Sequence, residues 1–164
     1  MTNERLQQHI DLMNNKKLKY ITEEELSLNV IKITLFDNIQ DITTFDSGTF
    51  GGEIELEDMY FIFDDDFSVV VGVVYDMQSD LHWYIDPKYR ERGYLTKALH
   101  ECIFNDVINE RVKIEKENIY ITIENNNLKS KKIAESLAFK KDYFCKKRNS
   151  EVWKYKIKNK KERI

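Results

Sequence analysis

A predicted strand that leads into a predicted helix through a short polar turn constrains the fold of this chain more than any other feature. The turn segment reads PKYRERGYLTKAL and spans Pro87–Leu99. Before it, apolar and polar residues alternate, which predicts a half-buried strand with Leu81, Trp83 and Ile85 on its apolar side. After it, apolar residues recur at spacings of three and four, which predicts an amphipathic helix that ends near 108–109. The apolar stripe of that helix consists of Leu95, Ala98, Leu99, Cys102 and Ile103.

The turn is suited to bind an anion. Gly93 can adopt a positive φ or let another backbone approach closely. The first N–H groups of the helix that follows have no intrahelical partners, and the helix dipole adds partial positive charge at that end. Arg90 and Arg92 supply two cations beside it. A phosphate or pyrophosphate group is therefore the expected ligand of the turn.

Two sequence blocks resemble the GNAT acetyltransferase superfamily. Arg90–Leu95 is similar to the acetyl-CoA pyrophosphate loop of that family, (R/Q)-x-x-G-x-(G/A). The chain also has every fixed position of P-x-Y-x-x-(K/R)-G-Y-x-x-x-A-L, the loop of the subgroup that resembles ribosomal-protein N-terminal acetyltransferases. A second block, Asn127–Phe139, is similar to the family pattern N-x-x-S-x-x-v-x-x-x-L-G-F. Together the two blocks indicate a member of that subgroup.

Two positions depart from these patterns. Leu95 stands where the loop usually has Gly or Ala, so we expect its side chain to point into the core and leave the phosphate path open. Ala138 stands where the second block has Gly. That replacement is mild if the residue keeps a negative φ and costly if φ is positive.

The resemblance implies an α/β (α+β) fold with a mixed, mostly antiparallel central sheet and helices on both faces. It also implies a cleft where the strand ending at Ile85 and the strand near Ile119 splay apart. The composition suits one domain with a substantial core, because 41% of the 164 residues are hydrophobic. We therefore expect a single domain over 1–164, in which 1–15 form a helical extension and 159–164 form a flexible tail.

The resemblance further implies that the cleft binds acetyl-CoA as a cosubstrate, without a metal. The pyrophosphate would accept N–H bonds from the loop, and the pantetheine arm would pair with the main chain near Trp83 and Ile85 as a short added strand. Asn127 has two open interpretations, contact with the cofactor arm or capping of the helix that follows. The other residues assigned to the cofactor are Arg90, Glu91, Arg92, Gly93, Tyr94, Leu95, Thr96 and Ser130.

The implied reaction is acyl transfer from a thioester to an amine. It requires a base, an N–H donor for the oxyanion and a proton donor for the leaving thiolate. For the oxyanion we choose the main-chain N–H of Ile85 or its neighbour. Ser130 is the candidate thiolate donor, because many family members carry Tyr four positions later, where this chain has Ala134. Asp80 and His82 are the candidate bases, with a surface carboxylate and a structural histidine as the alternative interpretations.

Charge is distributed unevenly along the chain. No Lys or Arg occurs between Lys32 and Lys88, although that segment is rich in Asp and Glu. Because the segment borders the acceptor site in similar domains, we expect a cationic acceptor, namely a basic peptide, a polyamine or a protein N-terminus. An ordinary solvated surface is the alternative. The residues assigned to the acceptor are Glu53, Glu55, Glu57 and Tyr84.

The remaining segments carry simpler signals. An apolar stripe predicts a helix over Asn3–Asn14. Thr22–Glu25 has the form of a capping box, which predicts a helix that continues through Val30 and Ile33. A hairpin is expected around Asp64–Asp66. The C-terminal half is expected to form a strand over 118–124, a helix over 129–137 and a hairpin of 141–147 with 152–157.

Composition also bounds the setting in which the protein acts. No apolar run approaches the roughly 20 residues needed to span a bilayer, and the first residues lack the apolar core of a secretory signal. We therefore expect a cytoplasmic protein, as a monomer or a homodimer, that does not bind membranes. The two cysteines suggest neither a disulfide nor a metal site, because Cys102 lies on the apolar stripe and Cys145 is expected to be a partly exposed strand thiol.

Two other functional classes fit parts of the sequence. The departures at Leu95 and Ala138, with the missing Tyr, fit a catalytically degenerate module of the same fold that binds CoA or a partner protein. The basic residues from Lys129 onward fit an interaction protein for RNA or an acidic partner. Nucleic-acid binding is the weaker option, because the chain lacks an aromatic-basic signature beyond a few residues of its last predicted hairpin.

Overall fold

The computed structural model describes residues 1–36 and 56–158, and the elements below lie within these ranges. The helices are α1 (Asn3–Asn14), α2 (Tyr94–Ala98), α3 (Phe104–Lys113) and α4 (Leu128–Ser136). The strands are β1 (Thr22–Ser27), β2 (Val30–Phe36), β3 (Leu56–Phe63), β4 (Val70–Asp76), β5 (Leu81–Ile85), β6 (Asn118–Glu124), β7 (Lys140–Cys145) and β8 (Ser150–Lys156). A π-helical segment, Leu99–Ile103, joins α2 to α3, and we call the three together the central helix. Short 3-10 turns occupy Pro87–Tyr89 and Lys146–Arg148.

The strands form two sheets that meet at β5 and β6. The first sheet has the order β1-β2-β3-β4-β5 and the second the order β6-β8-β7. Every ladder within the described residues is antiparallel, from β1 with β2 through to β7 with β8. β5 and β6 lie next to each other, but they belong to different sheets. The predicted α/β fold with a mostly antiparallel sheet is therefore confirmed.

Helices cover both faces of the strands. On one face the central helix and α4 pack on a core that contains Leu81 and Ile121, with Trp83 and Ile85 at its edge. On the other face α1 buries Leu6 and Ile10 against β2, β3 and β4. Side-chain bonds fix α1 in place: Asn14 exchanges two bonds with the main chain of Val70, at 2.7 and 3.1 Å. Gln7 donates to the carboxylate of Asp86 at 3.0 Å. α1 is thereby attached to the start of β4 and to the residue that follows β5.

Most elements lie where the sequence predicts them. The helix over Asn3–Asn14, the hairpin around Asp64–Asp66 and the terminal hairpin are confirmed. Leu95 is buried in the core, as expected, so its main-chain N–H is at the turn while its side chain is not. Cys102 packs against the same core. No helix within the described residues is both long enough and apolar enough to cross a membrane.

The helix predicted from the capping box at Thr22–Glu25 is wrong. This segment is β1, which pairs antiparallel with β2 in a hairpin, with Glu25 opposite Ile31. β2 buries Ile31, Ile33 and Leu35 on one side by the two-residue alternation of a strand. β1 is the edge strand of the sheet, and its exposed glutamates suit that position because charge on an edge strand opposes further pairing.

The central helix is longer than predicted, because it ends at Lys113 instead of near 108–109. Val107 and Arg111, one turn apart, are both buried on the face that packs on the sheets. Arg111 makes a bidentate pair with Asp76 at the end of β4, in which Nη1 lies 2.9 Å from Oδ2. A buried ion pair therefore adds to the apolar contacts that keep the last turns of this helix on the core.

Ala138 adopts the costly conformation, with φ of +65°. It follows the C-terminal end of α4, where Phe139 N–H donates to Ala134 O at 3.0 Å and Ala138 N–H donates to Glu135 O at 2.9 Å. This is the pattern of a helix end that usually places glycine in the left-handed region. The need for a left-handed residue here explains why the family pattern has Gly at this position.

Candidate acetyl-CoA cleft and acceptor cavities

A cavity of about 480 Å³ opens between β5, the start of the central helix and α4. It brings together most of the residues that the sequence assigns to the cofactor. These are Trp83, Ile85, Arg90, Glu91, Gly93, Tyr94, Leu95, Thr96, Asn127 and Ser130. Arg92 is not among the lining residues, because its guanidinium lies over the ring of Tyr89 at 5.4 Å. We call this space the cofactor cavity.

The edge of β5 that faces the cofactor cavity offers main-chain donors and acceptors. Asp86, directly after β5, donates its N–H to Val71 O on the neighbouring strand β4 at 3.0 Å. Because main-chain groups alternate in direction along an extended strand, those of Ile85 and Trp83 point away from β4 and toward β6. Arg90 uses one of them, since its Nε donates to Ile85 O at 3.1 Å while its guanidinium stacks on Tyr84. The arginine thus lies along the strand edge and not at the turn.

The turn at the start of the central helix presents its N–H groups to the cofactor cavity. Gly93 has a φ of +80°, which favours glycine, and a Cβ placed there would meet nothing within 4 Å. Lys97 N–H donates to Gly93 O at 2.9 Å, so the N–H groups of residues 94–96 precede the first helical bond. No side chain caps this end of the helix. The geometry is that expected for an anion-binding turn.

One ion pair crosses the mouth of the cofactor cavity. Glu91, which has a φ of +64°, is hydrogen-bonded to Lys129 on α4. The bond to Lys129, and then its charge, hold the pKa of Glu91 below its usual value. Both side chains are exposed, at 71% and 76%, so the pair contributes little to stability and is readily exchanged. Lys132 lines the same cavity.

Ser130 links α4 to β5. Its hydroxyl accepts a bond from Trp83 Nε1 at 3.1 Å, and its main-chain N–H donates to Asn127 Oδ1 at 3.1 Å. Asn127 is therefore the N-cap of α4, which is one of the two interpretations left open by the sequence. It also lines the cofactor cavity, so the cap lies at the wall of the cleft.

A second cavity, of about 400 Å³, lies on the α1 side of the same gap, and we call it the acceptor cavity. His82, Thr122 and Glu124 line it together with residues 1–4 at the start of α1. It shares Trp83 and Ser130 with the cofactor cavity, so the two spaces meet where that hydrogen bond crosses the cleft. The cleft thus passes between the two sheets from one face to the other.

Asp80 and His82 lie side by side, and His82 faces the acceptor cavity. His82 Nε2 lies 3.4 Å from Asp80 Oδ2, and the other carboxylate oxygen of Asp80 is buried without a partner among the described residues. Tyr84, two residues further along β5, lines the cofactor cavity instead of the acceptor cavity. The structure therefore brings both candidate bases together and separates them from Tyr84.

The glutamates that the sequence assigns to the acceptor are not gathered at His82. Glu53 and Glu55 lie outside the described residues. Glu57 is on β3, opposite Leu35, and does not line the cofactor or acceptor cavities. Acidic groups at the acceptor cavity come from elsewhere in the chain, namely Glu4 and Glu124.

Several lining residues were missed by sequence reasoning. Asn3 lines both cavities, although α1 was interpreted only as an extension, because periodicity does not reveal where a helix docks. Lys129 and Lys132 lie in the first turns of α4, and their spacing from Asn127 is the signal that would have indicated them.

Gly72, which sequence reasoning also missed, supports the wall of the cleft from behind. It is opposite Ile85, where a Cβ would come within 2.3 Å of Ile85 Cδ1. Within 1–36 and 56–158, no group of three or more His, Cys, Asp or Glu side chains is placed to hold a metal.

Comparison with known proteins identifies the architecture. The sequence matches no family model and no curated protein. Ribosomal-protein-S5-alanine acetyltransferase from Vibrio fischeri is similar in structure, with a TM-score of 0.50 and 18% identity over 63% of this chain and 63% of that one. A putative acetyltransferase from Salmonella typhimurium, solved with acetyl-CoA, has a TM-score of 0.49 and 16% identity over 63% of this chain and 66% of that one. The aligned parts span less than two thirds of the length of either protein. The chain has the fold of the GNAT acetyltransferases.

Proposed function

We propose that this protein is an N-acetyltransferase that moves an acetyl group from acetyl-CoA to a primary amine by direct attack of the amine on the thioester. The amine belongs to a protein N-terminus or to another cationic molecule. The observation that carries the proposal is a cleft that crosses a GNAT fold, with an anion-binding turn at one end and His82 at the other. An amine and a thioester that enter from opposite faces would meet at Trp83 and Ser130.

The cofactor would be held mainly by main-chain groups. The N–H groups at the start of the central helix would bind its pyrophosphate, and the free edge of β5 would pair with the amides of its pantetheine arm. Arg90 occupies Ile85 O in the free protein, so an incoming amide would replace it there. Lys129 and Lys132 are further cations for the phosphates once Lys129 leaves Glu91.

Proton transfer would begin at the acceptor cavity. The α-ammonium group of a peptide has a pKa of about 8 and must lose a proton before it attacks. If Nε2 of His82 carries a proton toward Asp80, Nδ1 is left unprotonated and able to accept the proton of the amine. In this scheme His82 is the base, and Asp80 orients its ring.

Two further groups would act on the thioester. The main-chain N–H of Ile85 points into the cleft and would stabilise the oxyanion that forms when the amine attacks. Trp83 Nε1 donates to Ser130 Oγ, so the hydroxyl hydrogen of Ser130 remains available for the sulfur. Ser130 would donate that hydrogen to the CoA thiolate as the carbon–sulfur bond breaks. The second proton of the attacking nitrogen would pass back to Ser130 Oγ, which leaves the acetyl group on the nitrogen as a neutral amide.

The first prediction tests the turn. Gly93→Glu should abolish acetyl-CoA binding in calorimetry, because the new side chain would enter open space at the phosphate path and add like charge. The fold should be retained, as judged by circular dichroism and thermal unfolding. Gly93→Ala is the control, since it imposes the same backbone strain at φ of +80° without filling the path or adding charge. Unchanged affinity in folded Gly93→Glu would remove the turn from the proposal.

Activity is tested by a turnover screen with acetyl-CoA across peptides with free amino termini, polyamines, aminoglycosides and amino acids. Release of CoA that depends on one of these amines is the expected result, with acetylation of the amine confirmed by mass spectrometry. Tight binding of acetyl-CoA without turnover of any amine would instead identify the degenerate module of the same fold.

A further inference from the structure

A third cavity, of about 670 Å³, lies beside Asp80 on the outer face of the second sheet. Tyr120 and Thr122 of β6 and Ser150 of β8 form part of its wall, and the turn 146–148 contributes Lys147 and Arg148. We call it the distal cavity. Because residues alternate along β6, Tyr120 and Thr122 face away from the core that contains Ile119, Ile121 and Ile123.

The distal cavity adjoins the acceptor cavity. Thr122 lines both spaces. The contact between Asp80 and His82 lies between them, because Asp80 lines the distal cavity and His82 lines the acceptor cavity. An acceptor with its amine at His82 would therefore have the distal cavity next to it, on the other side of Asp80.

Two buried oxygen atoms at the distal cavity have no hydrogen-bond partner among the described residues. They are Asp80 Oδ1 and Ser150 Oγ, and Ser150 is only 3% exposed. An unpaired buried polar group is destabilising, so each such atom requires an explanation. A ligand that brings N–H donors into this cavity would satisfy both atoms.

The cations of the distal cavity are also without partners. Lys147 and Arg148 make no ion pair with any residue in 1–36 or 56–158, whereas two lysines of the adjacent strands are paired. Lys141 is paired with Glu151 at 2.8 Å, and Lys154 is paired at 2.8 Å with Asp142, the other acid that lines this cavity. The turn thus keeps an excess of positive charge at the far end of the cavity.

We infer that the acceptor is a peptide amino terminus that carries an acidic side chain within its first few residues. This inference rests on the proposed acetyltransferase function and names the substrate class of that site. The amine would lie at His82, main-chain N–H groups of the peptide would donate to Asp80 Oδ1, and the acidic side chain would pair with Lys147 and Arg148. A polyamine would instead place a second cation beside these two residues, which is repulsive.

The test uses three peptides with free amino termini that differ only by Glu, Gln or Lys at the residues after the first. With acetyl-CoA saturating, the KM of the Glu peptide should be about fivefold lower than that of the Gln peptide, as expected for partly exposed ion pairs. The Lys peptide should have the highest KM. The KM of the Glu peptide alone should rise steeply with ionic strength, because salt screens the pairing.

Charge reversal supplies the matched control. The double variant Lys147→Glu with Arg148→Glu should invert the order of the three KM values while leaving acetyl-CoA affinity unchanged. Lys140→Glu with Lys156→Glu makes the same change in net charge at exposed positions of the same sheet outside the cavity, and it should keep the original order.

Equal KM values for the three peptides, an unchanged order in the first double variant, or a preference for spermidine over the Glu peptide would overturn the inference. Each of these results still includes turnover, so the proposed function would stand. If acetyl-CoA binds and neither peptides nor small amines are acetylated, the proposed function itself fails, and the inference fails with it.

Discussion

At the scale of single residues, Ala138 shows how a departure from a family pattern becomes a measurable strain. An L-residue in the left-handed region costs roughly 1–2 kcal/mol, whereas glycine adopts it freely. Ala138→Gly should remove that strain at φ of +65°, and the greater freedom of glycine in the unfolded chain offsets about 0.4–1 kcal/mol of the gain. We expect the free energy of unfolding to rise by about 0.5–1 kcal/mol, measured by urea denaturation.

The control for Ala138→Gly lies in α4, the helix that precedes it. Ala134 is fully buried inside α4, where glycine both loses contacts and loosens the helix, so Ala134→Gly should destabilise the protein. Opposite signs for the two substitutions are the expected result. A decrease in stability for both would mean that the backbone at 138 relaxes to a negative φ in solution.

Residue roles that depend on local pattern were readable from the sequence, and roles that depend on distant contacts were not. Gly93 and Asn127 were identified because turns and helix caps select residue types over a few positions. Gly72 carried no such signal, since its role arises only where β4 meets β5 and Ile85 covers its Cα. The sequence predicted that Asp80 and His82 lie on one face of a strand, because side chains alternate along it. It did not predict that the two side chains are in contact.

At the scale of elements, the β1–β2 hairpin was predicted wrongly as a helix, whereas the central helix was predicted correctly. Comparing the two shows why some predictions succeed. Leu26, Val30 and Ile33 satisfy a helical spacing, yet Ile31, Ile33 and Leu35 satisfy a strand spacing in the same segment. The strand forms because β2 pairs with β3. The residues of β3 lie outside the segment, so its own sequence does not reveal this pairing. The stripe that starts at Leu95 fits only a helix, so its type was predictable while its last turns were not.

α1 gives the element-scale prediction, because its buried face contains a histidine. His9 is 1% exposed, its Nδ1 donates to Arg5 O at 2.6 Å, and its Nε2 is buried without a partner among the described residues. Burial lowers the pKa of His9 below its ordinary value of 6.5. The stability from docking neutral His9 is therefore fully present above pH 6.5 and is lost as pH falls through the lowered value.

The measurement is the free energy of unfolding between pH 7.5 and 5, the interval in which His9 is expected to take up a proton in the unfolded chain. It should decrease with a slope that approaches about 1.4 kcal/mol per pH unit for one proton. His9→Met should flatten that slope, because it removes the buried titrating group. An equal slope in His9→Met would contradict the assignment.

At the scale of the whole molecule, buried charges connect elements that are distant in sequence. Lys32 is nearly buried and contacts Asp58, Asp106 and Glu110, which belong to β3 and α3. Burial lowers the pKa of Lys32, but the bond to Asp106 and the charges of the three acids more than compensate, so its pKa is raised overall. Lys32 therefore remains charged and connects Asp58, in the acidic segment, to two carboxylates of α3.

Asp76 and Arg111 form the most deeply buried of these connections, at 3% and 2% exposure, between the end of β4 and the last turns of α3. Removing one partner of a buried pair leaves the other charge without compensation, which costs about 3–5 kcal/mol. Arg111→Met should therefore destabilise the protein by about that amount in urea denaturation. Lys113→Met removes a surface cation from the same helix, paired with Glu110, and should cost far less.

In a double-mutant cycle, Asp76→Asn with Arg111→Met should cost less than the sum of the two single changes, because neither charge then remains buried alone. Additive losses, or an Arg111→Met variant no less stable than Lys113→Met, would mean that α3 is held by its apolar face and that the ion pair does not fix the end of the central helix.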